Sequence, residues 1–98
     1  MATYLLLGNY THQGMEKIRG APARIDTARE VIDKEGGKLL SWHVTMGQHD
    51  FAAMVEAPDD MIMARLSLAM CSHGNIQTQT MRAFTEQEFR DIVNNLPY

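Results

Sequence analysis

The sequence predicts an α+β fold: the ferredoxin-like βαββαβ order, a four-stranded antiparallel sheet with two helices on one face, and an extra C-terminal helix. Three observations predict it. Residues 38–57 alternate between apolar and polar over two runs that meet at Gly47-Gln48-His49-Asp50, the pattern of a hairpin. A stripe at helical spacing flanks that hairpin on each side: Ile25, Ala28, Val31 and Ile32 before it, and Ile62, Leu66, Ala69 and Met70 after it. One apolar run opens the chain, and a more polar strand-like run follows the second stripe.

Taken in order, residues 3–9 form the first strand. Tyr4, Leu5, Leu6 and Leu7 are apolar on both faces, as in a central strand covered on both sides. Residues 10–20 are polar and glycine-spaced, and Thr11 can cap a short turn near His12. Residues 21–35 form a helix with Pro22 in its first turn and Gly36-Gly37 as its stop. Arg24 and Arg29 lie off its stripe and read as solvated. In the hairpin, Leu40, Trp42, Val44 and Met46 share a face with Phe51, Ala53, Val55 and Ala57 if Met46 pairs with Phe51. Pro58-Asp59-Asp60 opens the second helix, whose positive end suits acidic residues, and Gly74 ends it. Residues 75–84 form the last strand, polar enough for a sheet edge or a wet cavity. Thr85-x-x-Glu88 is a capping box for a final helix with Phe89, Ile92, Val93 and Leu96 on its apolar face.

The 98 residues form one domain, 1–98, just large enough to fold on its own core. A net charge of −3 with scattered basic residues argues against nucleic-acid binding. The single cysteine, Cys71, suits a reducing compartment, no apolar run is long enough for a membrane helix, and the start lacks a basic leader. A soluble, cytoplasmic protein with no membrane or nucleic-acid partner is expected. With helices on one sheet face only, the other face would expose leucine and methionine side chains, which soluble monomers rarely tolerate. A homodimer or higher oligomer through that open face is expected.

No nucleophile elbow, phosphate loop, dinucleotide fingerprint or metal-ligand spacing appears, so no cofactor and no metal are expected. Four histidines are the most reactive groups. In the register above, His43 and Glu56 are diagonal neighbours on the open face, within side-chain reach. A carboxylate beside imidazole suits a general base, and a structural polar pair at a subunit interface has the same appearance. His49 is the second candidate base. Asp50 and Thr45 at the turn, with Tyr10 and His12 beyond the first strand, are the candidate ligand-binding residues.

Over almost its whole length the chain resembles the GYD-domain family. The matching stretches are Thr11–Gly14, Pro22–Arg24, Gly36–Leu39, Thr45–Phe51, Val55–Asp60, Gly74–Thr80 and Arg82–Thr85. The resemblance implies a dimeric α/β barrel of ferredoxin-like subunits. It places the family's Gly, Tyr, Asp pattern at Gly47, His49 and Asp50, with histidine where tyrosine is usual. The family carries no established general activity, and its relatives by fold range from cofactor-independent monooxygenases to ligand-binding regulators. Three functions fit: a homo-oligomer binding a small apolar or aromatic molecule between sheet and helices, a cofactor-independent monooxygenase or isomerase with a histidine base, or a purely structural assembly module.

Overall fold

The computed structural model describes residues 1–98. The elements run β1 (Ala2–Tyr10), α1 (His12–Glu16), a 3-10 turn (Ile18–Gly20), α2 (Ala21–Lys34), β2 (Lys38–Val44), β3 (Phe51–Ala57), α3 (Asp60–Cys71), β4 (Ile76–Ala83) and α4 (Glu86–Asn94). The sheet has the order β2-β3-β1-β4 and every neighbouring pair is antiparallel. This is the predicted α+β arrangement, with β1 central and β2 and β4 at the edges.

One sheet face meets the helices. Tyr4 and Leu6 of β1 and Ala53, Val55 and Ala57 of β3 pack with Ile32 of α2 and Met63 and Leu66 of α3, and all are buried. Burial of this apolar area is the main stabilising term of the domain. The opposite face carries Leu5 and Leu7 of β1, Ala52 and Met54 of β3 and Met81 of β4, by the alternation of cross-strand partners. No residue of that face is buried, and the buried core draws only on α2 and α3 among the helices.

The hairpin departs from the expected register. Val44, not Met46, pairs with Phe51, and Trp42 pairs with Ala53. The connection is therefore Thr45–Asp50, and Met46 stands fully exposed in it. Asp50 closes the loop by accepting Thr45 N–H at its carbonyl at 2.8 Å, and is tied to β1 as well. Its N–H donates to Gly8 O at 2.8 Å, and its carboxylate accepts Tyr10 N–H at 2.9 Å. The slip is two residues, so each side chain keeps its face. A second irregularity lies between Leu39 and Ser41, where Leu40 is bulged out of the ladder. Leu39 thus takes the core-facing place expected of Leu40.

Caps sit where expected. Thr11 Oγ1 accepts Gly14 N–H, Asp59 accepts Ile62 N–H, and Thr85 with Glu88 forms the full capping box of α4. Helix α1 lies tightly on the start of β4. A Cβ on Gly14 would be 2.0 Å from Asn75 O, so only glycine fits this approach. Thr11 N–H donates to Asn75 O at 3.0 Å, Thr11 Oγ1 donates to Gly74 O at 2.6 Å, and Gln13 Nε2 donates to His73 O at 3.0 Å. α4 stands apart from the body. None of its residues is buried, and Phe89, Ile92 and Val93 are exposed together. No helix is long and apolar enough to cross a membrane.

Candidate functional site

A cavity of about 480 Å³ lies between α2 and the sheet. Its floor is a row of three rings on three strands. Trp42 of β2 stacks on Phe51 of β3 at 5.6 Å between centroids, and Tyr10 of β1 tilts against Phe51 at 5.5 Å. The row fits because β1 has no side chain opposite Phe51. Gly8 is its cross-strand partner, and a Cβ there would be 2.0 Å from Phe51 Cζ. The roof is Ile25, Ala28 and Val31 of α2. Only Ile32 of the predicted α2 stripe is buried in the core, while the other three stop short of the sheet and line the space.

One end of the cavity is polar. Tyr10, Gln13, Lys17, Arg24, His73 and Asn75 line it. Gln13 Nε2 bridges His73 O and Asn75 Oδ1, and an Arg24 guanidinium nitrogen donates to Lys17 O at 3.1 Å. Burial pushes the Tyr10 phenol above its usual pKa; the nearby Arg24 guanidinium opposes that rise and Asp50 adds to it. Arg24 is thus half-buried beside the Tyr10 ring, not solvated as its sequence position suggests. The overlooked signal was its spacing, because Arg24, Ala28 and Val31 fall at i, i+4 and i+7 on one helical face.

The structure separates the proposed base from its carboxylate. His43 pairs with Ala52, whereas Glu56 sits opposite Lys38 and Thr3. Four residues along β3 divide them, about 13 Å, too far for a direct contact. Both belong to the open face and neither lines the cavity. His49 Nδ1 lies 3.1 Å from Asn9 Oδ1, and Thr45 Oγ1 donates to His49 O at 2.6 Å, so this loop is fastened to the end of β1. His12 is exposed and pairs with Glu16 at 2.7 Å on the outside of α1. Of the seven residues singled out from the sequence, Tyr10 alone lines the cavity. Asp50 is adjacent to it through Tyr10 N–H.

Residues 4–93 match the family model described as the GYD domain. The chain belongs to the GYD-domain family. Its GYD domain is also similar to a Thermus thermophilus protein named glutamine synthetase and cystathionine beta-lyase binding protein. The two are 30% identical over 84 residues, covering 85% of this chain and 88% of that one. Among solved structures it is similar to the crystal structure of the Mycobacterium tuberculosis leucine response regulatory protein LrpA, with a TM-score of 0.64 and 15% identity over 86% of this chain. The GYD chain spans about half, 51%, of that longer protein, and at this identity the likeness is one of fold.

Proposed function

We propose that this GYD protein is a small self-associating binding protein that holds a small apolar or aromatic molecule between its sheet and α2. The observation that carries this reading is the cavity of about 480 Å³ floored by the Tyr10, Phe51 and Trp42 rings. Its size and largely apolar walls with a few convergent polar groups are those of small-molecule sites, commonly about 300–1,000 Å³. Offset rings favour a planar aromatic guest. The test is a titration with the neutral dye phenylnaphthylamine, following emission of Trp42, the sole tryptophan. The expected result is saturable quenching at one dye per chain, lost in Ala28→Phe, which fills the roof while melting as the parent does. Unsaturable uptake that ignores Ala28→Phe refutes it.

Self-association through the open sheet face completes the proposal. Leu5, Leu7, Met54 and Met81 form an apolar centre there, and two such faces stacked would close a barrel of the dimeric α/β kind. The exposed stripe of α4 gives a second apolar surface and supports assembly beyond a dimer. A monomer at micromolar concentration in light scattering would refute this part. The Thermus relative is named for binding two enzymes, and its length is nearly all matched by this chain. That supports a regulatory protein docking on a metabolic enzyme. Saturable binding to purified glutamine synthetase or cystathionine beta-lyase is the expected result, and binding to neither removes the support.

A further inference from the structure

We propose that the cavity selects an anion: a small aromatic molecule with one negatively charged oxyacid head, its ring on the Trp42–Phe51–Tyr10 row and its head at Arg24. This rests on the reading of the cavity as a ligand site. The chain has 12 Asp and Glu against 9 Lys and Arg, so its charged residues taken at random would favour an acidic lining. The opposite is found. Among 21 lining residues, Lys17 and Arg24 carry charge and none is a carboxylate.

Of the six arginines only Arg19 and Arg24 lack a carboxylate partner, and Arg19 is exposed and lies outside the cavity. Arg29, Arg65, Arg82 and Arg90 each pair with a carboxylate, whereas Arg24 has only the neutral Lys17 carbonyl. A guanidinium has five N–H donors, so most of those on Arg24 are left without a protein acceptor. A half-buried cation on an apolar wall is unfavourable until a counter-charge is supplied. The Tyr10 hydroxyl, half-buried beside it, has no hydrogen-bond partner of its own and adds a neutral donor at the same end. Asp50, the nearest acid to Tyr10, lies outside the lining with its carboxylate on Tyr10 N–H. A planar fork of donors beside a hydroxyl matches a carboxylate or phosphate oxygen pair.

The test compares anilinonaphthalene sulfonate with its neutral parent phenylnaphthylamine, both read by energy transfer from Trp42 in the intact protein. Arg24→Gln is expected to weaken the sulfonate dye about ten-fold or more, the loss of a charge-assisted hydrogen bond, and to leave the neutral dye within about two-fold. Arg24→Lys is expected to retain part of the preference. Arg29→Gln removes the same charge from the same helix outside the cavity and is expected to change neither dye. Naphthoate and naphthyl phosphate are then used as displacers, to separate a carboxylate head from a phosphate one. The proposal is overturned if Arg24→Gln weakens both dyes alike or neither, if Arg29→Gln matches it, or if neither displacer competes. Binding of the neutral dye would survive those results, and the cavity would remain a ligand site without charge selection. Failure of both dyes to draw energy from Trp42 would remove the ligand site itself.

Discussion

Gly14→Ala puts the contact between α1 and β4 to a quantitative test. The new Cβ would lie 2.0 Å from Asn75 O and 2.9 Å from Asn75 C, both backbone atoms with no rotamer to yield. Restoring an ordinary separation of 3.4 Å requires the two segments to part by about 1.4 Å. That motion breaks the Thr11 N–H bond to Asn75 O and loosens those of Thr11 Oγ1 to Gly74 O and Gln13 Nε2 to His73 O. Two or three such bonds contribute about 2–3 kcal/mol in total. Alanine recovers about 1 kcal/mol over glycine inside a helix. The net cost is about 1–2 kcal/mol, which for a domain of this size lowers Tm by roughly 5–15 °C. The assay is thermal melting by far-ultraviolet circular dichroism, with Gly20→Ala as the control. Gly20 has φ −87, and its only side-chain neighbour within reach of a Cβ is the mobile tip of Arg24 at 3.0 Å or more. The control is expected within about 2 °C of the parent by the same scaling. A Gly14→Ala protein that melts no lower than Gly20→Ala would refute the reasoning.

Three further outcomes are expected. Burial, with a hydrogen bond to the Asp60 carboxylate, pushes the Tyr4 phenol up to about 12. The folded state therefore holds this proton more tightly than the unfolded chain, whose phenol titrates near pH 10; stability is full below about pH 10 and falls as pH rises towards 12. Tyr4→Phe should flatten that alkaline limb in melts at stepped pH, and an unchanged limb would contradict the assignment. If the open face carries the proposed self-association, Leu5→Glu puts a charge at its centre and should give a monomer by light scattering where the parent gives a dimer or larger, with no loss of helix signal. His43→Ala and His49→Ala should bind phenylnaphthylamine as the parent does, since neither side chain lines the cavity; a ten-fold loss in either would place that histidine at the ligand.

The order of elements was legible because each carries its own local signal. Thr11, Asp59 and Thr85 cap helices wherever they are placed, and the stripes of α2 and α3 follow from spacing. The hairpin register was not legible. Gly47-Gln48-His49-Asp50 has the chemistry of a tight turn, but Asp50 is held by Gly8 and Tyr10, forty residues earlier in the chain, and local sequence carries no trace of that bond. The two-residue slip left the faces of the paired residues intact, but it put Met46 in the loop and parted His43 from Glu56. Met63 was missed in the same way, since helical spacing offers both Ile62 and Met63 to the sheet and tertiary packing buries the latter. The cavity was not legible either. Ile25, Ala28 and Val31 look alike whether they fill a core or roof a space, and only the distance between α2 and the sheet decides which.

The missing side chain at Gly8 sets how deep that space is. Phe51 lays the tip of its ring across the bare backbone of β1, and Trp42 and Tyr10 settle against it at the same level. One methyl group at position 8 would lift the ring towards α2 and take the room from whatever lies above it. If the cavity holds a guest as proposed, its capacity is adjustable from the strand floor through a position that does not itself line it, and room for smaller or larger molecules is reachable by changes at that one position.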